Sequence, residues 1–147
     1  MITVHWLLQS LFVVLLADFV SGFVHWAEDA YARPGMPLIS KIAEENLLHH
    51  RKPRAFLARS WWESSADLLA IGMVVLATAW WLDALDVWVM LFVLIAVNAN
   101  QIHKWTHMNR REVPRVIGWL QRLYILQSPR AHARHHTGNK DSDYCVI

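Results

Sequence analysis

Two long apolar segments alternate with polar, basic stretches along the chain. From Ile2 to Phe23 the only formal charge is Asp18, and from Asp67 to His103 there is no lysine or arginine. A helix of about 20 apolar residues crosses the ~30 Å hydrocarbon layer of a bilayer. The second segment is long enough for two such helices, with a turn at residues 83–86. The pattern therefore predicts three membrane spans, at about residues 2–24, 67–82 and 87–103.

Apolar residues also recur at helical spacing in two polar stretches, after Pro37 and before Pro129. This spacing is typical of amphipathic helices that lie on a membrane surface. A buried helical hairpin in a soluble protein is the alternative, but 147 residues leave too little other surface to cover three apolar helices. We predict an all-α integral membrane protein that forms one domain over residues 1–147, with amphipathic helices on its inner face.

Composition and charge agree with this fold class and give its orientation. The chain is 55% hydrophobic and contains nine tryptophans. All 14 lysines and arginines lie in two stretches, six at residues 33–59 and eight at residues 104–140. Because basic loops stay in the cytoplasm, the N-terminus and the 83–86 turn are expected outside. A bacterial inner membrane is the favoured location and the endoplasmic reticulum the alternative, and no nucleic-acid partner is expected.

The first span is expected to remain as an anchor. It has no basic start and no small-residue cleavage site, which a secretory signal peptide would show. Cys145 is the only cysteine, so an intrachain disulfide, a thiolate zinc site and an iron–sulfur cluster are all excluded.

Eight of the nine histidines fall into four short clusters, all on the predicted cytoplasmic side. Imidazole binds zinc, copper, iron and nickel, and eight rings exceed what one tetrahedral ion can use, so the clusters predict two metal ions. His5, twenty residues before the first cluster on a continuous helix, would lie ~30 Å away and is not a predicted ligand. The predicted ligands are His25, His49, His50, His103, His107, His132, His135 and His136.

Single histidines carry less weight than the set. One at a helix end is more often a capping or interfacial residue than a ligand, and the pair His49-His50 fits a solvated loop equally well. H-x-x-x-H at residues 103–107 and H-x-x-H-H at residues 132–136 are more specific, because residues three or four apart share one helix face. Together the four clusters favour a metal site.

Five charged residues near the clusters are further candidates. Asp18 lies inside the first span, where it either orients a ligand, lines a substrate path or makes a helix–helix hydrogen bond. Asp29 is the preferred acceptor for an imidazole N–H, which ligating histidines usually need. Lys104, Arg130 and Arg134 alternate with the histidines and fit either a lipid phosphate beside the metals or ordinary inner-face charge.

The motifs together resemble those of the lipid desaturase family. The segments that carry the resemblance are Asp18-Phe-Val-Ser-Gly-Phe-Val-His25-Trp26, His49-His50 followed by Pro53, Asn100-Gln-Ile-His103-Lys-Trp-Thr-His107, and Ser128-Pro-Arg-Ala-His132-Ala-Arg-His135-His136. The resemblance covers about residues 17–147. It departs from the family at residues 63–67, where an asparagine is expected, and at the C-terminus, where relatives run on, as in a fragment or a short form.

The resemblance implies a histidine-ligated centre of two iron ions that uses O2 to remove two hydrogens from a lipid chain. It places the eight clustered histidines at the iron ligands, and the segment around His103 is closer to the plasmanylethanolamine branch. The implied partners are a membrane phospholipid substrate and a cytoplasmic-side electron donor of the cytochrome b5 or ferredoxin type, because the chain has no flavin, haem or iron–sulfur motif.

Several other functions stay open at this point. An acyl-chain desaturase, a phospholipid hydroxylase or a zinc-dependent hydrolase could use similar clusters. A b-type haem membrane protein also carries histidines on membrane helices, although eight are more than axial ligation needs. The remaining alternative is a membrane scaffold or lipid-binding protein without catalysis.

Overall fold

The computed structural model describes residues 2–137 and 142–145. Its helices are α1 (Ile2–Tyr31), α2 (Ser40–Arg51), a 3-10 helix (Pro53–Ala58), α3 (Trp61–Trp81), α4 (Val87–Val97), α5 (Ala99–Thr106), α6 (Arg115–Arg122) and α7 (Pro129–Thr137). The described residues contain no strand, which confirms the all-α class. Lys140 of the second basic stretch and both ends of the predicted domain lie outside the described residues.

Helix α1 continues to Tyr31, seven residues beyond the predicted end of the first span. Nothing between residues 25 and 31 interrupts a helix, and the break comes at Arg33–Pro37, where Gly35 has a φ of 88°. The Arg33 guanidinium donates to the carbonyls of Ala30 and Ala32, each at 2.8 Å, and so satisfies orphan groups at the helix end. The extension places Asp29 one turn after His25.

Two helices, α1 and α3, are long and apolar enough to cross a membrane, and α4 with α5 makes a third if the bent pair is one span. The axes of α4 and α5 differ by 42°. The Asn98 side chain lies at the bend, donating to the Leu94 carbonyl at 2.8 Å and accepting from the Trp61 indole at 3.1 Å. The segment predicted as a span at residues 87–103 therefore consists of two helices that meet at Asn98.

The turn predicted at residues 83–86 is present, and both neighbouring helices have side-chain caps. Asp86 accepts from the backbone N–H groups of Trp88 and Val89, each at 2.9 Å. Ser60 and Glu63 form a capping box, so α3 begins at Trp61, six residues before the predicted start of the span.

Tight packing joins the three apolar helices, since α4 contacts both α1 and α3. A Cβ atom at Gly72 would lie 2.9 Å from side-chain carbons of Val93 and Val97, so glycine allows the close approach of α3 and α4. Large apolar side chains remain exposed on the outer faces, for example Phe12 (64%) and Val74 (65%). Such faces suit a lipid solvent.

The shorter helices gather at one end of the apolar bundle. Helix α2 contacts α1 and the 3-10 helix, while α5 contacts α3, α4 and α7. The helix predicted after Pro37 is α2, and the one predicted at residues 116–124 is α6. This end therefore brings together segments that are far apart in the sequence.

Candidate metal centre

Four helices deliver the eight clustered histidines to one place. His25 comes from α1, His49 and His50 from α2, and His103 from α5, which His107 caps at its C-terminus; the remaining three come from α7. Their ligand atoms form two compact groups, in each of which all atoms lie within 4.8 Å of one another. We call them the five-histidine group (His49, His103, His107, His132 and His136) and the aspartate group (His25, Asp29, His50 and His135). His5 lies exposed twenty residues before His25.

In the five-histidine group the ring nitrogens converge on His132. Its Nε2 atom lies 2.8 Å from Nε2 of His103, 3.1 Å from that of His107 and 3.0 Å from that of His136. A neutral imidazole has a single N–H, so hydrogen bonds cannot satisfy this many facing nitrogens. Their lone pairs would repel one another without a cation between them.

The spacing of these nitrogens fits a bound metal ion. Imidazole binds zinc at about 2.0–2.1 Å, which puts neighbouring ligand nitrogens about 3.0 Å apart at right angles and about 3.4 Å apart in a tetrahedron. Neither nitrogen of the buried His49 ring has a hydrogen-bond partner among the described residues. Buried polar atoms without partners are uncommon, and a metal ligand is one explanation for them.

Burial favours the neutral form of these rings. It lowers the pKa of His49 to about 2, of His107 to about 3 and of His136 to about 4, and neighbouring imidazoles add repulsion. The pKa of His132 is lowered further by the same causes. Neutral imidazole is the form that binds metals, so the site is ready for a cation at neutral pH.

In the aspartate group a single carboxylate faces three imidazoles. Asp29 oxygens lie 3.0 Å from Nε2 of His50, 3.1 Å from Nε2 of His135 and 3.8 Å from Nε2 of His25. The Asn46 amide also donates to Asp29. Asp29 Oδ2, His25 Nε2 and His135 Nε2 are buried without a hydrogen bond within the described part of the chain. Three such atoms facing one another also fit a metal ion.

Two rings of the aspartate group are oriented by the segment that follows α7. The Nδ1 atoms of His25 and His135 lie 3.1 Å and 3.0 Å from the carbonyl oxygens of Tyr144 and Ser142. A carbonyl only accepts, so each Nδ1 carries the hydrogen and each Nε2 is left as a lone-pair donor. Sequence reasoning missed this contribution, because it comes from backbone carbonyls that no residue type reveals.

Gly22 gives the 142–145 segment room to pack against α1. A Cβ atom at Gly22 would lie 2.6 Å from Cys145 Sγ and 3.3 Å from the Cys145 backbone. Burial and the nearby Asp18 carboxylate raise the pKa of the Cys145 thiol, which hydrogen-bonds to Asp18. Asp18 is thus placed two turns before His25, beside the segment that orients the ring.

The three basic residues predicted as phosphate-binding candidates differ in their burial and in their pairing. Lys104 is buried and donates to the carbonyls of Arg59 and Ser60 and to Ser64 Oγ, at 2.7, 3.1 and 2.8 Å, which ties α5 to the start of α3. Arg134 is exposed and pairs with Asp143 at 2.9 Å, and Arg130 is exposed near the start of α7. Neither Lys104 nor Arg134 points a free charge toward a ligand.

The family model of the lipid desaturase domain matches residues 14–147 of the chain. Plasmanylethanolamine desaturase of Myxococcus xanthus is 32% identical, over 96% of this chain and 53% of the relative. Fatty acid desaturase 4, chloroplastic, of Arabidopsis thaliana is 29% identical, over 90% and 42%. Plasmanylethanolamine desaturase 1 of Mus musculus is 26% identical, over 90% and 53%. The chain spans about half the length of these relatives, and no solved structure matches it significantly.

Proposed function

The chain belongs to the lipid desaturase family, and from this membership we propose that it is a membrane di-iron desaturase that introduces a double bond into a membrane lipid chain. The convergence of eight imidazoles and one aspartate at the end of an apolar helix bundle supports the proposal most strongly. A lipid chain lying against such a bundle would reach the centre from within the membrane.

In this proposal the five-histidine group holds one iron ion and the aspartate group the other. Iron with O2 supplies an oxidant strong enough for an unactivated C–H bond, which no side chain can provide. Burial favours the neutral form of His49, His107 and His136. The protein fixes the His25 and His135 rings through backbone carbonyls and excludes water with the fully buried His132 and His135.

The atoms and electrons of the reaction balance with one external donor. Two C–H bonds of the lipid break and a C=C bond forms, while O2 takes up four electrons and four protons to give two waters. The lipid supplies two electrons and two protons, so two more electrons must arrive from a donor and two more protons from solvent. We propose a cytoplasmic-side donor of the cytochrome b5 or ferredoxin type, attracted by the basic inner loops.

The preferred substrate is a plasmanylethanolamine lipid, whose alkyl ether chain would become a vinyl ether. The relatives from Myxococcus xanthus and Mus musculus carry that activity in their names, which supports this choice. Desaturation of an acyl chain is the second candidate, favoured by the Arabidopsis thaliana relative. We further propose that the protein lies in a bacterial inner membrane, with the metal centre on its cytoplasmic side.

The test combines metal analysis with lipid analysis. Purified protein should contain about two iron ions per chain, and a host expressing it should accumulate acid-labile vinyl ether lipids under air but not without O2. His107→Ala and His135→Ala should abolish the product, while His5→Ala should leave it largely intact. One zinc ion per chain, a Soret band or equal activity in all three variants would contradict the proposal. A new hydroxyl or a new acyl double bond would redirect the substrate assignment.

A further inference from the structure

An open cleft of about 500 Å³ lies between α6, the turn that precedes it and the start of α7. Its lining includes Met108 directly after His107, and Ser128 and Pro129 where α7 begins. Two of its lining segments are therefore continuous in sequence with elements that carry clustered histidines. Gln121 fixes α6 in this place, since its buried side chain donates to the Trp105 carbonyl at 3.2 Å.

Three arginines, Arg110, Arg115 and Arg122, line the cleft, and no acidic residue does. None of the three is in an ion pair with the described residues. Two arginines outside the cleft are instead neutralised by ion pairs: Arg54 pairs with Glu112 at 2.7 Å and Arg59 with Glu45 at 2.8 Å. The cleft thus concentrates positive charge that the fold leaves uncompensated, which an anion would stabilise.

The apolar face of α6 indicates that the anion belongs to a lipid. Val116 (68% exposed) and Trp119 (63%) project from the helix that carries Arg115 and Arg122, and Leu123 (62%) is its C-cap. A tryptophan beside arginines is the pattern of a helix lying at the level of the lipid headgroups. Dissolved phosphate would gain nothing from these side chains.

We propose that this cleft binds the phosphate of a membrane phospholipid through Arg110, Arg115 and Arg122. This inference rests on the proposed function, in which the phospholipid is the substrate. The cleft fixes its headgroup while its chain enters the bundle beside the metal centre. This assignment differs from the one expected from the sequence, because Lys104 and Arg134 are already engaged within the protein.

Binding is measured on the full-length, detergent-solubilised protein, so that the result does not depend on turnover. The probes are dihexanoyl phosphatidylethanolamine, dihexanoyl glycerol without a phosphate, and inorganic phosphate as a competitor, with calorimetry as the readout. Arg110→Gln, Arg115→Gln and Arg122→Gln should each weaken phosphatidylethanolamine binding about tenfold or more, as expected for a lost charge-assisted hydrogen bond. Arg111→Gln is the matched control, since Arg111 is adjacent and exposed but does not line the cleft.

Unchanged iron content and elution volume show that each variant is folded, and each arginine-to-lysine variant should recover part of the binding. The proposal is overturned if the triple glutamine variant binds phosphatidylethanolamine like wild type, if dihexanoyl glycerol binds equally well, or if inorganic phosphate binds as tightly as the lipid. A protein that binds the lipid through the three arginines but forms no double bond would refute the proposed function and leave the cleft assignment intact.

Discussion

The two halves of the histidine cluster differ in how they are held and in their charge. The five-histidine group is built from uncharged imidazoles whose nitrogens face one another at about 3 Å. The aspartate group contains a carboxylate, and two of its rings donate to backbone carbonyls of residues 142–145. Two ions bound here would therefore be inequivalent, one in a neutral cage and the other beside a negative charge.

The two groups also differ in what positions their histidine rings. His132 and its neighbours are positioned mainly by α2, α5 and α7, whose helical spacing aligns them. His25 and His135 are also oriented by the 142–145 segment, which lies outside their own helices. Gly22 leaves room for this segment. Both groups need the packing of several helices, and the second also depends on the segment that follows α7.

The largest effect is expected from His132→Ala, which removes the ring on which the five-histidine group converges. Product formation should fall by more than ~100-fold, beyond the loss typical of groups that only orient ligands. Iron content should fall to about one per chain, which metal analysis of purified protein measures. His5→Ala is the control, and a fully active His132→Ala enzyme would disprove the role of this group.

The second-largest effect is expected from Asp29→Asn, which should affect the aspartate group and spare the five-histidine group. It keeps the shape of the side chain but removes the one carboxylate that, among the described residues, faces His25, His50 and His135. The five-histidine group should keep its ion, so metal analysis should give about half the wild-type iron, with activity lost. Glu44→Gln makes the same chemical change on the exposed side of α2 and should have no effect. Full iron occupancy in Asp29→Asn would show that the carboxylate only orients the rings.

Gly22→Val should have a smaller effect, confined to the aspartate group. The added side chain collides with Cys145 and displaces the carbonyls that His25 and His135 use. Losing such outer contacts typically reduces metal affinity or activity 10–100-fold. Titration with a chelator should show one ion released early and the other retained.

Val24→Leu, which adds bulk to an exposed position of the same helix, serves as the control for Gly22→Val. Combining Gly22→Val with Cys145→Ala should recover part of the affinity, since it removes the nearest colliding atom. Equal chelator sensitivity of both ions would argue against a segment that serves one group alone.

The smallest effect is expected from Arg134→Gln, which breaks the exposed ion pair with Asp143. The pairing lowers the pKa of Asp143. Its stabilisation is therefore present above the usual aspartate pKa and lost as the pH falls through the lowered value. Activity at pH 7 should change by less than about threefold, and less still at high salt, as activity assays at two ionic strengths would show.

The sequence indicates which histidines share a helix but not what surrounds them. Spacing alone groups His103 with His107 and His132 with His135 and His136, because a helix has a fixed period. It could not divide the rings between two groups, since that depends on the 42° bend at Asn98 and on how far α1 extends past residue 24. Asp29 was predicted as an acceptor, yet its contact with three rings follows from the packing of α1, α2 and α7.

The residues that build the aspartate group are far apart in the sequence, and this affects the order in which the site can assemble. Helix α1 is synthesised before the other described helices, but His25 obtains its Tyr144 acceptor only after 119 further residues have been added. If the proposed ions bind, one that reaches the growing chain would therefore find the aspartate group unfinished until the 142–145 segment has docked. Loading of this group would then follow the packing of that segment, and an incomplete protein would hold its ion weakly.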